Sequence, residues 1–181
     1  MLYTITLFLL YGIFFFSSTK LTAEEIVQRT VEYPLNTAQK EEYVVHWARA
    51  HLPQIGVLIE EQRGFVYLKV DDNYINQLFS ILNPPEYTKP QYFRRFDSPG
   101  AHISVFYVDE RNRTGEIKEK GQKYSFKIKG LSFVPPKTQE YLVLEVESPD
   151  LEQLRKNYGL SPLLQGHPFH ITIAKKKRRY H

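Results

Sequence analysis

Runs of apolar residues with helical or strand-like spacing divide most of the chain into predicted elements. Helices are predicted over 22–34, 37–53, 71–82 and 148–159, each with capping or proline signals at its ends. Strands are predicted over 64–70, 101–109, 122–134, 140–147 and 169–174. Gly130 interrupts the strand pattern of 122–134 and predicts a bulge or bend. This mixture predicts an α+β fold.

The segment 83–100 contains four prolines and one glycine and is predicted to be a long loop leading into the strand 101–109. Long loops within a compact domain are usually functional or mobile. Tyr92, Arg94 and Arg95 are therefore candidates to line a substrate site, through base stacking and phosphate contact. The alternative, in which the aromatic residues fold back on the core and the arginines lie in solvent, stays open.

Two stretches that lie sixty-eight residues apart, 102–105 and 170–173, both read His, apolar, hydroxyl, apolar. Because side chains alternate between the faces of a strand, His102 and Ser104 should share one face and lie roughly 6.6 Å apart along the strand. The apolar residues between them would enter the core. The same pattern predicts a polar face for the second stretch.

The second stretch contributes His170 and Thr172 to the predicted site. Imidazole is the side chain whose ordinary pKa allows it to act as acid or base near neutrality, so two histidines can divide those roles. The hydroxyls can donate hydrogen bonds to an oxyanion. By simple alternation Phe106 falls on the face of the first histidine, where it would either stack on a base or pack in the core.

The pair of His-apolar-[Ser/Thr]-apolar motifs resembles the two-histidine phosphoesterases, also called the LigT-like or 2H superfamily. The approach to the second motif, 158–169, is also similar, and the resemblance extends over roughly 60–175. Ser104 stands where many members have Thr, which preserves the hydroxyl. The resemblance implies two antiparallel sheet lobes with outer helices around a central groove. It also implies substrates such as RNA ends with 2′,3′-cyclic phosphates or small cyclic nucleotides.

Neither a metal nor another cofactor is expected. The chain has no Cys, and a zinc site usually needs three or four ligands. His167 is the nearest additional imidazole, and strand alternation would put it on the face opposite His170. Two further functions stay open: a module that binds RNA or nucleotide phosphates without turnover, and a 2′-5′ phosphodiesterase or ligase-type activity.

The N-terminal stretch 2–16 is apolar and uncharged, and its length is typical of a secretory signal rather than a membrane span. We therefore predict that 1–23 is a signal peptide or an N-terminal anchor and that the protein is exported. Residues 24–181 are expected to form one domain and to be monomeric. Transient membrane association through 2–16 is a further expectation. Asn112 begins a glycosylation sequon, which by itself has little weight.

The basic character of the chain comes from its C-terminal tail, 175–181. Five of the tail residues are Lys or Arg, whereas the whole chain has a net charge of +4, so the remainder sums to −1. Such a run is usually solvated, and it can also attract polyanions such as RNA without reading their sequence.

Overall fold

The computed structural model describes residues 37–92, 98–134 and 140–176, which all lie in the compact unit Asn36–His181. These residues form four helices: α1 (Thr37–His51), α2 (Asn73–Leu82), α3 (Val108–Thr114) and α4 (Pro149–Asn157). They also form eight strands: β1 (Ile55–Glu60), β2 (Val66–Lys69), β3 (Tyr87–Thr88), β4 (His102–Phe106), β5 (Lys123–Ser125), β6 (Lys127–Val134), β7 (Tyr141–Glu147) and β8 (His170–Lys176). None of the described helices is long and apolar enough to cross a membrane.

The strands form one antiparallel sheet in the order β5-β1-β2-β4-β8-β7-β6, with β3 added beside β8. The α+β prediction is confirmed. Each half of the sheet contains one motif strand, and the halves join where β4 pairs with β8. The two lobes implied by the resemblance are thus continuous through this central pair of strands.

The helices cover the face of the sheet opposite the motif histidines. Helix α1 packs against β6, and helix α2 packs against β8 and α1. Val44 of α1 and Tyr74 of α2 join Ile103 and Ile171 in one core cluster, and all four are completely buried. Because the apolar residues of both motifs are held in this core, the alternate residues are directed to the other face.

A β-bulge at Val105 ends the regular alternation of the first motif strand. Tyr67 pairs with Ser104 and Val66 pairs with Phe106, so one residue of β4 is left without a partner. Such a bulge shifts every following side chain to the other face. The prediction that Phe106 shares the face of His102 is therefore wrong. Phe106 is fully buried in the core.

A second bulge falls at the same position of the second motif. Val143 pairs with Thr172 and Leu142 pairs with Ala174, which leaves Ile173 as the extra residue. Both Ile173 and Ala174 are fully buried. Each motif therefore presents two residues to one face before the strand turns its side chains into the core.

Four other elements, β1, β3, β4 and α3, differ from the sequence predictions. The strand β1 was not predicted, and the predicted loop 83–100 contains the short strand β3. The predicted strand 101–109 ends at Phe106, and α3 begins two residues later with Asp109 and Glu110 in its first turn, where acidic side chains are favoured by the helix dipole. The bulge predicted near Gly130 is confirmed, since the register of β6 shifts between Ile128 and Gly130. The predicted helix 22–34 lies outside the described residues.

Candidate active site

The antiparallel pairing of β4 with β8 brings the four polar residues of the two motifs together. Ile103 pairs with Ile171, so the register puts His102 opposite Thr172 and Ser104 opposite His170. Directly opposed residues have Cβ atoms about 5 Å apart, and diagonal neighbours are about 7–8 Å apart. The two histidines occupy one diagonal of this square and the two hydroxyls occupy the other.

Both imidazoles are oriented in the same way by the backbone just before their motifs. The Nδ1 atom of His102 lies 2.8 Å from the carbonyl oxygen of Gly100, and that of His170 lies 2.9 Å from the carbonyl oxygen of Pro168. A carbonyl can only accept, so each Nδ1–H must donate. The Nε2 atom of each ring is then left to exchange a proton with a ligand.

His102 sits among aromatic rings and is only 8% exposed. Its ring centroid lies 4.8 Å from that of Tyr92, 5.4 Å from that of Tyr67 and 5.8 Å from that of Phe65. Burial lowers the pKa of His102, and the positive charge of Lys69 lowers it further, against the opposing hydrogen bond to Gly100. The neutral ring is therefore favoured in the unliganded protein.

His170 is more accessible than His102, although burial also lowers its pKa. Two interactions oppose this shift: the hydrogen bond to Pro168, and the negative charge of Glu145, which pairs with His170 from the neighbouring strand β7. The neighbouring His167 also lowers the pKa of His170. The two imidazoles thus differ in surroundings, with aromatic rings around one and a carboxylate beside the other.

The motif residues open into one cavity of about 460 Å³. Its lining consists of Glu61, Phe65, Tyr92, Pro99, His102, Ser104, Tyr107, Val134, Tyr141, His167, His170 and Thr172. Five of the predicted site residues line it: both histidines, both motif hydroxyls and Tyr92. Phe106 does not line it, because its ring lies in the core against Tyr158 and Arg155. Arg94 and Arg95 lie outside the described residues.

Comparison with known families identifies the domain. A family model described as "Swiss Army Knife, 2H phosphoesterase domain" matches residues 66–181, which include both motifs. The chain belongs to the 2H phosphoesterase family. No curated protein and no solved structure matches it. Family membership supports a phosphoesterase-type function for the cavity between the two motifs.

Several residues of this 2H phosphoesterase cavity were not anticipated from the sequence. Tyr107 lines the cavity together with Ser104. His167 lines it from the loop before the second motif, where its backbone forms a bridge with Leu164. The expectation from strand alternation that His167 lies on the face opposite His170 is wrong, because the residue precedes β8 and lines the same cavity. Phe65 also reaches the cavity, from just before β2.

A buried ion pair lies behind the first motif and supports this wall of the 2H phosphoesterase site. The guanidinium of Arg155 is fully buried and makes a bidentate contact with Glu110, with Nη1 3.1 Å from Oε2 and Nη2 2.7 Å from Oε1. It also donates to the carbonyl oxygens of Val105, Ser161 and Leu163. The pair thereby ties the end of the first motif to the loop that leads to the second.

The described residues contain no group of three or more His, Cys, Asp or Glu side chains arranged to hold a metal ion. Two imidazoles on opposite sides of a phosphoryl group can exchange protons with it, while the hydroxyls donate to its non-bridging oxygens.

Proposed function

We propose that the protein is a metal-independent phosphodiesterase that hydrolyses 2′,3′-cyclic phosphates, at RNA ends or in small nucleotides. The observation that supports this most directly is the register of β4 against β8, which juxtaposes two histidines and two hydroxyls on one cavity wall. Membership of the 2H phosphoesterase family supports the reaction class. The cyclic substrate is our inference from the motif chemistry and the family resemblance.

In the proposed reaction, one neutral imidazole takes a proton from water as the water oxygen forms a bond to phosphorus. The bond between phosphorus and the 2′ or 3′ oxygen breaks, and the other imidazole, protonated, gives its proton to the departing oxygen. The diester becomes a monoester without a covalent enzyme intermediate. Ser104 and Thr172 donate hydrogen bonds to the non-bridging oxygens, where negative charge increases in the transition state.

The test is hydrolysis of a 2′,3′-cyclic nucleotide by the purified protein in EDTA. We expect turnover that survives the chelator, and a loss of about 10²- to 10⁴-fold in His102→Ala and in His170→Ala. His46→Ala is the matched control, since His46 is exposed on α1 and does not line the cavity. Full activity in either motif variant, or complete loss in EDTA, would refute the proposal.

Two alternatives are separated by the same experiment when the substrate panel is widened. Stoichiometric binding of a cyclic nucleotide without product would favour a phosphate-binding module. Cleavage or joining of 2′-5′ dinucleotides in preference to cyclic phosphates would favour a 2′-5′ phosphodiesterase or ligase-type enzyme. The presence of a histidine in each motif favours catalysis, because binding alone needs no second imidazole.

We also propose that the protein is exported, that 1–23 is removed or retained as an anchor, and that the domain is monomeric. The support is the apolar stretch 2–16, which lies outside the described residues. N-terminal sequencing of the protein recovered from secreting cells tests this. A mature N-terminus near residue 24 or a membrane-bound full chain is expected, and a soluble cytoplasmic full chain would refute it.

A further inference from the structure

Tyr92 contacts the surroundings of His102 through two different groups. Its backbone carbonyl accepts a hydrogen bond from the N–H of Gly100 at 3.1 Å, and Gly100 in turn orients His102. Its ring lies 4.8 Å from the imidazole of His102, at an angle of 71°. Tyr92 therefore acts on His102 both directly and through Gly100.

We propose that Tyr92 is a positioning residue that holds the imidazole of His102 in its working geometry, rather than a platform on which a nucleobase stacks. The proposal rests on the phosphodiesterase function proposed above and deepens it by assigning a residue that acts through His102.

The ring of Tyr92 limits how far the imidazole of His102 can turn. The rings of Tyr67 and Phe65 approach the same imidazole at 64° and 87°, so His102 is confined edge-on by three aromatic neighbours. Its remaining anchor is the hydrogen bond from Nδ1 to Gly100. The loop that includes Tyr92 therefore contributes both to the anchor and to the confinement of the same ring.

The test separates the ring from the hydroxyl. Tyr92→Leu removes the ring and should lower kcat about tenfold with little change in KM, because the imidazole of His102 is then less well oriented. Tyr92→Phe keeps the ring and should lose much less activity. Tyr124→Leu is the matched control, since the Tyr124 hydroxyl hydrogen-bonds with Gln122 at the sheet edge, away from the cavity. Wild-type kcat in Tyr92→Leu, or a rise in KM alone, as a stacking platform would give, would overturn the proposal.

One measurement distinguishes failure of this proposal from failure of the proposed substrate, because it needs no turnover. In an NMR titration without ligand, Tyr92→Leu should raise the pKa of His102 by exposing it, and Tyr92→Phe should leave that pKa unchanged. If cyclic nucleotides are not hydrolysed but this shift appears, the substrate assignment alone is wrong. An unchanged His102 pKa in Tyr92→Leu overturns the positioning role.

Discussion

Replacing Arg155 with Met should destabilise the protein more than any single exposed substitution. The substitution keeps an apolar side chain in the core but leaves the Glu110 carboxylate, only 7% exposed, without its two Nη donors. Three backbone carbonyls lose a donor at the same time. Breaking a buried ion pair from one side costs about 3–5 kcal/mol. We expect the upper half of that range, which is a large part of the 5–15 kcal/mol typical of a folded domain.

The pH dependence of the destabilisation distinguishes loss of the ion pair from simple loss of packing. Burial raises the pKa of Glu110, but hydrogen bonds from Arg155 and the Tyr107 N–H outweigh it, so the folded pKa lies below the ordinary 4.5. In the wild type this stabilisation is present above about pH 4.5 and is lost as the pH falls. In Arg155→Met burial is no longer opposed by the guanidinium and the pKa of Glu110 should rise. The difference in free energy of unfolding between the wild type and Arg155→Met should therefore be smaller at pH 5 than at pH 8.

Urea unfolding at both pH values measures this difference. The double variant Arg155→Met/Glu110→Leu should recover about 2 kcal/mol or more of the loss, because no charge is left buried. Lys129→Met is the control, since its pair with Glu147 is exposed and should contribute under 1 kcal/mol. A single-variant loss below about 1 kcal/mol, or no recovery in the double variant, would refute the reasoning.

Three other predictions follow from the site. Because burial lowers the pKa of both His102 and His170 from 6.5, the bell-shaped profile of kcat/KM should have its optimum on the acid side of 6.5, and an optimum above pH 7 would contradict this. For the same reason the free energy of unfolding should fall as the pH drops below 6.5, which chemical denaturation at pH 7 and 5.5 checks. Gly100 has φ +63° and a Cβ there would meet the carboxylate of Asp72. Gly100→Ala should therefore lower the free energy of unfolding by about 1–2 kcal/mol and reduce kcat, whereas the control Gly130→Ala should do neither.

The four polar motif residues could be predicted from the sequence because strand alternation is a local property. His102 and Ser104 share a face whatever strand lies beside them, and so do His170 and Thr172. What the sequence does not contain is the pairing of the two strands. The register that puts Ile103 opposite Ile171 depends on the whole sheet, and it alone determines that each histidine faces the hydroxyl of the other motif.

Local alternation predicts that Phe106 faces the site, whereas in the structure Tyr107 faces it. Regular alternation would put Phe106 on the face of His102 and Tyr107 in the core. The unpaired Val105 reverses both, so that Phe106 is buried and Tyr107 lines the cavity beside Ser104. A bulge is a relation between two strands, since Tyr67 and Val66 must skip a residue of β4. Nothing in the residues 102–107 by themselves predicts it.

The matching bulges also explain why each motif offers only two polar positions. Without them the polar face would continue to Phe106 in β4 and to Ala174 in β8, and the groove would extend along both strands. With an extra residue at Val105 and at Ile173, the chain returns to the core directly after Ser104 and Thr172. The rest of the cavity wall must then come from outside the two motif strands. Tyr92 and His167 lie in the loops before each motif, and Val134 and Tyr141 belong to β6 and β7.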